Sequence, residues 1–522
     1  MIEFERPTEG EPIGMSVVDM VRAAARAQSG REALVSGDTR LTWEAFDARI
    51  NRVANALLRM GLQKGEPVAV LSPNSAAYAE LFMGILRAGG CVTPLSTMAS
   101  PSALEKMLAD CGARVLFLSQ MYSDLAAPAV THLPLTVVAL DFTAPGIASY
   151  EAMLGEVGTD DPQVAIEPGD RFNLIYSSGT TGTPKGILHD HGLRSAQMNR
   201  IAINGYDENA RTLLSTPLYS NTTIVAFLPT LAGGGAAHIM GKFDARGWLQ
   251  HAEAERVTHT MLVPVQYKRI LDVAEFDDFD LSALQVKLST SAPLREDVKR
   301  DALARFPGTL TEVYGLTEGG GVTLLPLHDY PDKLHTVGQP APGSEFRLID
   351  DEGREVAPGQ VGEIVGRSPT MMSGYFGRDD LTEASLWRDA QGRVFFRSGD
   401  MGRFDEDGFL ILSDRKKDMI ISGGLNIFAD DLERVLLDDP DVVDAAVIGI
   451  PSDRWGETPL GLVVLRPGAG RGAEDILARA NATLGKSQRL AGVELREELP
   501  RSSIGKILKR ELRTPYWQQQ PA

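Results

Sequence analysis

The sequence is poor in cysteine and contains no long apolar run. Two cysteines, Cys91 and Cys111, occur in 522 residues, which is too few for a disulfide framework, and their spacing is not that of metal ligands. We expect both to be buried and to take no part in function. No uncharged apolar segment approaches the roughly 20 residues of a membrane span. The first ten residues, MIEFERPTEG, are acidic and do not resemble a secretory leader, so we expect a cytoplasmic location.

Positive charge is also scarce. The chain has 52 Lys and Arg against 70 Asp and Glu, which gives a formal net charge of −18. A surface this acidic repels nucleic acid and anionic membranes, so neither is expected as a partner. Any polyanionic ligand must therefore be held by a few local cations. The remaining composition, 43% hydrophobic and 23% charged, is ordinary for a globular enzyme.

Helix-like and strand-like patterns alternate from about residue 15 to residue 320. Apolar residues at helical spacing predict a helix over 43–60, closed by Gly61. Short apolar runs predict strands, among them 67–72, 172–176 and 309–314. This alternation predicts an α/β fold in which mostly parallel sheets are covered by helices. Residues 335–412 carry short alternating runs broken by Gly and Pro, which predicts a β-barrel-like subdomain.

After residue 418 the pattern predicts a compact α+β unit of about 100 residues, a normal domain size. A helix is predicted at 505–513 near its end. We therefore predict an N-terminal domain over 1–413, a hinge over 414–418 and a small mobile C-terminal domain over 419–522. The boundary falls in the charged stretch SDRKKD.

The strongest motif is YSSGTTGTPKG at 176–186. It combines hydroxyl groups, glycines that let backbone N–H groups converge, and one cation, which is what a triphosphate needs. A polar surface loop is the alternative, but so high a density of hydroxyls ending in Pro-Lys-Gly favours a phosphate site. The predicted nucleotide-binding residues here are Ser177, Ser178, Gly179, Thr180, Thr181, Gly182, Thr183 and Lys185.

Two familiar nucleotide motifs are excluded by spacing. The only Gly-Lys-Ser, at 485–487, has Ala480 where a Walker A loop needs its leading glycine. The run LAGGGAAH at 231–238 has His238 where a dinucleotide fingerprint needs its third glycine. The phosphate loop therefore belongs to another class.

Four further blocks follow the phosphate loop, in the order YGLTE at 314–318, RSGD at 397–400, DRKKDMIISGGLNIFADDLE at 414–433 and LPRSSIGKILKREL at 499–512. In this order the chain resembles the adenylate-forming superfamily of AMP-dependent acyl-CoA synthetases, firefly-type luciferases and nonribosomal-peptide adenylation domains. The resemblance covers nearly the whole chain. It implies an AMP-forming ligase that joins a fatty or aromatic carboxylate to CoA with ATP and Mg2+.

The resemblance also implies roles for YGLTE and RSGD, which are the second and third blocks when the phosphate loop is counted as the first. Tyr314 would flank the adenine, Thr317 would touch the α-phosphate and Glu318 would hold Mg2+. Asp400 would accept hydrogen bonds from both ribose hydroxyls. The residue types agree, because an aromatic face suits a purine and a hard carboxylate suits Mg2+. The implied nucleotide site is completed by Gly315, Ser291, Ala292 and Pro293.

In the fourth block, the resemblance implies that Arg415 contacts ribose and phosphate and that Lys417 is the hinge of the small domain. Gly423-Gly424 would line the passage for the pantetheine arm, where a narrow tunnel leaves no room for Cβ atoms. Two positions depart from the family pattern, since Asp414 replaces a Gly and Ala429 replaces a Pro. We expect these changes to alter local stiffness without loss of activity.

In the fifth block, the resemblance makes Lys506 the lysine that bridges the carboxylate and the α-phosphate during adenylation. A lysine in a terminal basic helix is ordinarily solvated, so the interpretation depends on its register with Gly505 and Pro500. With Thr181 and Glu318, Lys506 forms the implied catalytic set.

The resemblance places the acyl pocket between four segments. Many relatives have a His where Ser220 stands and Gly-Gly where Thr290-Ser291 stand. Tyr219 and Tyr267 are more typical of core packing, and we expect His189 and His191 in a solvated loop. The pocket residues implied are Tyr219, Ser220, Asn221, Val263, Thr290 and Leu316.

Two other functions are considered. One is an acyl-AMP or amino-acid adenylating enzyme that loads a carrier protein, although no acidic residue for a substrate ammonium is identified. The other is a non-catalytic nucleotide-binding protein, which is disfavoured because the key charged residues occur together, namely Lys185, Glu318, Asp400, Arg415 and Lys506. Small-molecule partners are expected, and a homodimer, common in such families, is left open.

Overall fold

The computed structural model describes residues 14–177, 185–415, 418–422, 425–452, 455–484, 488–502 and 505–518. Contacts divide the chain into two compact units: Met1–Glu345 with Gly366–Phe396, and Phe346–Val365 with Arg397–Ala522. The predicted boundary at 414–418 includes positions 416–417, which lie outside the described residues, and it stays a prediction. No helix in the described part of the chain is long and apolar enough to cross a membrane.

The first unit is built on two large sheets. The nine-stranded sheet has the order Gln339–Pro340, Val322–Pro326, Thr309–Gly315, Val286–Ser289, His259–Leu262, Arg211–Leu214, Ala236–Ile239, Glu32–Ser36 and Thr39–Thr42. The eight-stranded sheet has the order Gly374–Tyr375, Lys185–Asp190, Arg171–Ser177, Cys91–Pro94, Pro67–Leu71, Val115–Leu118, Thr136–Ala139 and Ala148–Ser149.

The central strands of both sheets pair in parallel, as predicted from the alternating pattern. Strands such as Pro67–Leu71 are buried along their whole length, because helices cover both faces of a parallel sheet. Pairing becomes antiparallel beyond Arg171–Ser177 in one sheet and beyond Thr309–Gly315 in the other, and the strand at the opposite edge of the nine-stranded sheet is antiparallel as well. The phosphate loop and the YGLTE block therefore lie where the sheets change from parallel to antiparallel.

Helices surround these sheets. The helix predicted over 43–60 runs from Trp43 to Arg59, and Thr42 caps it by accepting a hydrogen bond from the Ala45 amide. The neighbouring helix packs closely because Gly84 has no Cβ, which would lie 2.4 Å from the Val53 Cβ. The other helices of this unit are Val17–Ala27, Ala76–Arg87, Pro101–Cys111, Ser123–His132, Tyr150–Gly155, His191–Ala196, Arg200–Asn204, Asn221–Ala232, Ala245–Ala254, Pro264–Leu271, Glu296–Arg305 and Asp379–Ala384.

One helical segment of this unit is interrupted. The helices His191–Ala196 and Arg200–Asn204 are separated by a 3-10 turn at Gln197–Asn199. The Arg194 side chain donates to the Gln197 side-chain oxygen at 2.8 Å. In a 3-10 helix, side chains three residues apart lie directly above one another. Both side chains are buried. Their contact is therefore a buried polar contact at the point where the α-helix gives way to the 3-10 turn.

The remaining strands form two five-stranded sheets. Residues 345–415 contain Glu345–Ile349, Gly362–Arg367, Val394–Phe404 and Leu386–Arg388 in this order, with Leu410–Arg415 on Val394–Phe404. The C-terminal sheet has the order Leu425–Ile427, Ile420–Ser422, Gly456–Leu465 and Val442–Ser452, with Gly492–Leu495 on Gly456–Leu465. It packs with helices Ala429–Leu437, Ala473–Thr483 and Lys509–Trp517. The predicted fold class is confirmed.

The predicted terminal helix at 505–513 is wrong in its bounds, because the helix is Lys509–Trp517. Arg501 and Ile507 form an antiparallel bridge ahead of it, so the backbone there is extended and turns back on itself. Lys506 therefore lies in this turn, before the helix and not within it.

A buried ion pair joins several segments of the first unit. The Lys299 ammonium lies 2.5 Å from the Glu312 carboxylate, and both side chains are at most 3% exposed. The ammonium also donates to the backbone oxygens of Leu334 and Thr336, and the carboxylate accepts from the Leu294 amide. Burial raises the pKa of Glu312, which shows that the lysine compensates for the lost solvent only in part.

We expect Lys299→Met to lower the free energy of unfolding by about 3–5 kcal/mol, because it leaves a buried carboxylate without its cation. Replacing both partners, as Lys299→Met with Glu312→Leu, should cost less than this single change. Chemical denaturation followed by tryptophan fluorescence measures both. The control is Lys268→Met, whose ion pair with Asp272 is exposed and should contribute at most about 1 kcal/mol. Equal losses for Lys299→Met and Lys268→Met would contradict the prediction.

Candidate functional site

The phosphate loop connects two paired strands. Ser177 ends one strand and Lys185 begins the next, and the two residues are opposite each other in the antiparallel register. Ser178, Gly179, Thr180, Thr181, Gly182 and Thr183 lie outside the described residues, so their predicted roles stay predictions.

Tyr375 brings together two of the predicted site residues. Its strand pairs with the strand that begins at Lys185, and the Lys185 ammonium lies 5.4 Å from the centroid of the tyrosine ring. The Tyr375 hydroxyl donates to the Glu318 carboxylate at 3.0 Å. Burial raises the pKa of Tyr375 well above its ordinary value, so the phenol stays neutral and remains a donor. Lys185, the predicted cation, and Glu318, the predicted metal ligand, thus both contact Tyr375.

The Glu318 loop is fixed through its backbone. The Glu318 carbonyl accepts from the Met372 amide at 2.9 Å, and the next carbonyl, that of Gly319, accepts from the Ser368 hydroxyl at 2.6 Å. Gly319 has φ +76°, and a Cβ there would lie 1.8 Å from the Thr370 oxygen, so only glycine fits. These contacts hold the carboxylate-bearing loop against residues 368–372.

His189 supports the same block from the other side. Both His189 and His191 are 1% exposed, so the expectation of a solvated loop is wrong. The reason is that the strand Lys185–Asp190 runs inside the sheet and directs its side chains into packed regions. Burial lowers the pKa of His191 to about 4, which keeps that ring neutral.

The hydrogen bonds of His189 fix its tautomer. Its Nδ1 lies 2.8 Å from an Nη atom of Arg194, which can only donate, and its Nε2 lies 2.8 Å from the Thr317 oxygen. Nδ1 is therefore the acceptor and Nε2 carries the proton. His189 thus donates to the backbone of the YGLTE block and positions Thr317.

Arg194 is a buried cation held by neutral groups. It is fully buried and donates to the amide oxygens of Asn173, Gln197 and Asn221. Burial lowers its pKa to about 9. Through Asn221, which begins a helix, this network connects the His189 strand with the predicted acyl pocket.

The structure brings two of the predicted acyl-pocket segments together. Ser220 caps the helix that begins at Asn221, and the Thr222 hydroxyl lies 2.6 Å from the Ser291 hydroxyl. Thr290 donates to the Val313 oxygen at 2.8 Å. Ser291 has φ +80°, an uncommon conformation for a residue other than glycine. Ala292 and Pro293 continue the same loop.

The other pocket candidates are partly or fully buried. Tyr219 is 8% exposed, Val263 is 1% exposed, and Leu316 packs against the hydrophobic cluster that contains Tyr375. Tyr267 is fully buried and donates to the Leu288 oxygen, as expected for core packing.

Within the nucleotide set, Tyr314 and Gly315 end a strand of the nine-stranded sheet. In the second unit, Asp400 is buried and stands opposite Arg415 in an antiparallel pair of strands. Lys417, Gly423 and Gly424 lie outside the described residues, and their roles stay predictions.

The turn that carries Lys506 is held within the second unit. The Lys506 amide donates to the Ser502 hydroxyl at 3.1 Å. Nearby in sequence, the Lys509 ammonium lies 2.7 Å from the Glu433 carboxylate, whose pKa is raised to about 7 by burial. This ion pair attaches the terminal helix to the helix Ala429–Leu437.

Sequence patterns did not predict that Tyr375, His189 or Arg194 contributes to the site. Each is a buried residue of ordinary type, and its function-related contacts come from strands distant in sequence. The only local signal was the polar character of His189 and Arg194 within an otherwise apolar strand-and-helix segment.

Comparisons with known proteins identify the family of the chain. Residues 21–376 match the AMP-binding enzyme family, and residues 431–506 match the AMP-binding enzyme C-terminal domain. The chain is 34% identical to a feruloyl-CoA synthase of Amycolatopsis sp, over 94% of this chain and 97% of that protein. It is 30% identical to a fatty acid–[acyl-carrier-protein] ligase of Streptomyces coeruleorubidus, over 91% of this chain and 92% of that protein.

Among solved structures, the chain is similar to an anthranilate CoA ligase in complex with anthranoyl-AMP. The TM-score is 0.87 at 26% identity, over 97% of this chain and 98% of that one. The fold and the site define an adenylate-forming acyl-activating enzyme. The chain belongs to the AMP-binding enzyme family, as the motifs predicted.

We expect Tyr375→Phe to lower kcat/KM for ATP about tenfold or more. The change removes the hydroxyl that orients the Glu318 carboxylate, and hydrogen bonds to charged groups contribute about 1.5–3 kcal/mol. The ring, which contacts Lys185, is retained. Carboxylate-dependent exchange of pyrophosphate into ATP measures this step. Tyr330→Phe, at an exposed tyrosine, is the matched control, and wild-type exchange by Tyr375→Phe would show that the hydroxyl has no such role.

Proposed function

We propose that the protein is an AMP-forming carboxylate–CoA ligase that activates an aromatic or fatty acid with ATP and then transfers the acyl group to the CoA thiol. The observation that carries the proposal is the shared contact of Lys185 and Glu318 with Tyr375 at the edge of the phosphate loop. It supports the proposal because a nucleoside triphosphate and its metal need a cation and a carboxylate close together. Relatives that use CoA and form an acyl-AMP support it.

Residues outside the phosphate loop complete the proposed nucleotide site. In the proposal, the phosphate loop and Lys185 bind the phosphates and Tyr314 flanks the adenine. Asp400 binds the ribose hydroxyls, and Arg415 follows on the paired strand. Charge supports the role of Lys185, because a chain with a net charge of −18 needs local cations to hold a polyanion.

Glu318 fits the role of Mg2+ ligand. Its carboxylate oxygens are hard ligands, which Mg2+ prefers. The Tyr375 hydroxyl donates a hydrogen bond to this carboxylate and so positions it. When bound, Mg2+ would neutralise charge on the phosphates.

The first step needs no general base. A carboxylic acid with a pKa near about 4–5 is already ionised at neutral pH, so its oxygen can attack the α-phosphorus as pyrophosphate leaves. Two anions must be brought into line, and this requires cations at the reacting centre. In the proposal Lys506 bridges the carboxylate and the α-phosphate, while Lys185 and the hydroxyl of Thr181 stabilise the phosphates.

The second step is attack of the CoA thiolate on the acyl carbon of the mixed anhydride. The thioester bond forms as the bond to AMP breaks, and the thiol proton is released to solvent. AMP is a good leaving group, so no strong base is required. In the proposal the small domain rotates about Lys417 between the steps and presents Gly423-Gly424 to the pantetheine arm, a gating motion of a familiar kind.

We infer that the acid is aromatic and carries a polar ring substituent. The hydroxyl of Tyr219 is buried and has no hydrogen-bond partner among the described residues. The same holds for Tyr78, whose pKa is raised by burial and by Tyr219. A buried hydroxyl without a partner costs free energy, and a hydroxyl or methoxy group on a substrate ring would supply one. Val263 and Leu316 would contact the apolar part of the ring.

A carrier-protein thiol is the alternative acceptor. It is favoured by the similarity to a fatty acid–[acyl-carrier-protein] ligase. The two acceptors can be distinguished by measuring CoA consumption, because only a CoA ligase consumes free CoA in step with AMP formation.

The first experiment measures AMP, pyrophosphate and acyl-CoA with ATP, Mg2+ and a panel of aryl, fatty and amino acids. We expect AMP and acyl-CoA in equal amounts for aromatic acids. Lys506→Ala should lose about 100-fold or more of acyl-AMP formation but retain thioester formation from synthetic acyl-AMP, whereas Lys268→Ala should behave as wild type. Pyrophosphate release without CoA consumption would instead indicate carrier loading, and no turnover of any acid would contradict the proposal.

Tyr219→Phe tests the substrate class separately. We expect kcat/KM for a hydroxylated aromatic acid to fall about tenfold, because the ring substituent loses its partner, while the unsubstituted acid is turned over as well as before or slightly better. The ratio of the two rates in competition is the measurement. An equal change for both acids would mean that Tyr219 has only a packing role.

A further inference from the structure

We propose that Glu32, His238 and Glu255 form a binding site for a divalent transition-metal ion such as Zn2+. The site lies at one end of the nine-stranded sheet, and the strand that carries Tyr314 lies toward the other end. It is therefore separate from the proposed nucleotide site, and its existence does not depend on the proposed function.

Three adjacent elements bring the ligands together. Glu32 begins a strand that pairs in parallel with the strand carrying His238. Glu255 ends the helix Ala245–Ala254 beside them. One ligand atom from each residue lies within 4.8 Å of the others. Because strands and a helix end supply the ligands, the site is built on the regular part of the fold.

The facing atoms of Glu32 and His238 lack hydrogen bonds. The His238 side chain is 0% exposed, and its Nε2 lies 3.6 Å from Oε1 of Glu32. Within the described residues, neither atom has a hydrogen-bond partner. A separation of 3.6 Å is too long for a hydrogen bond, so a proton on Nε2 would satisfy neither group well.

His251 orients the His238 ring. Nδ1 of His238 lies 3.1 Å from Nε2 of His251. If Nδ1 of His238 donates in this contact, its Nε2 lone pair faces the carboxylate oxygen directly. Two acceptors at this separation repel, and a cation between them removes the repulsion. A metal-binding histidine ordinarily donates its other ring N–H to an acceptor that fixes the ring, and Nε2 of His251 is such an acceptor here.

The distances suit zinc. Zn–N and Zn–O bonds of about 2.0–2.2 Å in a tetrahedral site place neighbouring ligand atoms about 3.3–3.5 Å apart. The separation of 3.6 Å between His238 and Glu32 is close to this value. Glu255, whose ligand atom lies within 4.8 Å of the other two, completes a set of one nitrogen and two oxygen ligands.

Arg40 limits the affinity of the proposed site for a metal ion. Its guanidinium donates to Oε2 of Glu32 and to both carboxylate oxygens of Glu255. Oε1 of Glu32 stays available, but Glu255 must be shared between the guanidinium and the metal. Arg211 adds a second positive charge nearby, because its guanidinium donates to the Glu255 backbone oxygen. The two arginines balance the two carboxylates, so metal binding here depends on coordination by the His238 nitrogen and the carboxylate oxygens and not on net charge. Because Glu255 is then no longer shared, removal of Arg40 should strengthen metal binding.

The test uses the full-length chain stripped of metal and titrated with Zn2+ alone against a chromophoric chelator. We expect one equivalent of Zn2+ per chain. His238→Gln and Glu32→Gln should each weaken binding about tenfold or more, since each removes a ligand. His132→Gln is the control, because His132 is an exposed histidine paired with Glu105 and should leave binding unchanged. Arg40→Met should tighten binding severalfold.

A second measurement guards against variants that fail to fold. The visible spectrum of the wild-type chain with Co2+ should show the intense bands of a tetrahedral site, and histidine NMR should show the metal bound at Nε2 of His238 with the ring proton on Nδ1. Absence of a stoichiometric Zn2+ site, equal affinity in folded His238→Gln and wild type, or a proton at Nε2 with Zn2+ present would each overturn the proposal.

Discussion

The buried pair of Lys299 and Glu312 is the interaction on which the geometry of the first unit depends. Neither charge reaches water, and each is satisfied by backbone groups of other segments, so the helix, the strand and two loops are tied to one point. The strand of Glu312 continues into the YGLTE block, and the Leu294 amide lies at the end of the loop that contains Ser291. A single desolvated contact therefore sets the position of two predicted binding segments. Such pairs contribute more to specificity of arrangement than to net stability.

The site is assembled where the sheets change direction. In each sheet one end of the parallel pairing is a strand that leads into a predicted binding motif. An antiparallel strand then returns beside that motif. In the eight-stranded sheet this strand carries His189, and the strand paired with it brings Tyr375 from a distant part of the chain. Parallel strands alone would have supplied loops without these returning side chains. The change of pairing thus explains how a cation, a carboxylate and a neutral phenol come into contact.

The sequence predicted the α/β fold, the helix at Trp43–Arg59 and the membership of the family, because these rest on local periodicity or on contiguous motifs. It did not predict Tyr375 or the partners of Arg194, because these depend on strand neighbours that no local pattern reveals. His189 was expected in a solvated loop, and its burial depends on the strands that pair on either side of it. The start of the terminal helix was placed four residues early because the bridge of Arg501 with Ile507 competes with helical spacing, and only tertiary pairing decides between them.

Buried polar atoms without partners indicate ligand binding only when a second feature agrees. The indole nitrogen of Trp248 is unpartnered among the described residues, but its ring packs edge-on against Phe306 in an aromatic cluster. Tyr219 differs because it lies in the segment that contacts the Ser291 loop. His238 differs because its free nitrogen faces a carboxylate. The unmet hydrogen-bonding capacity is the same in all three, and the chemistry of the opposing group separates a packing defect from a site.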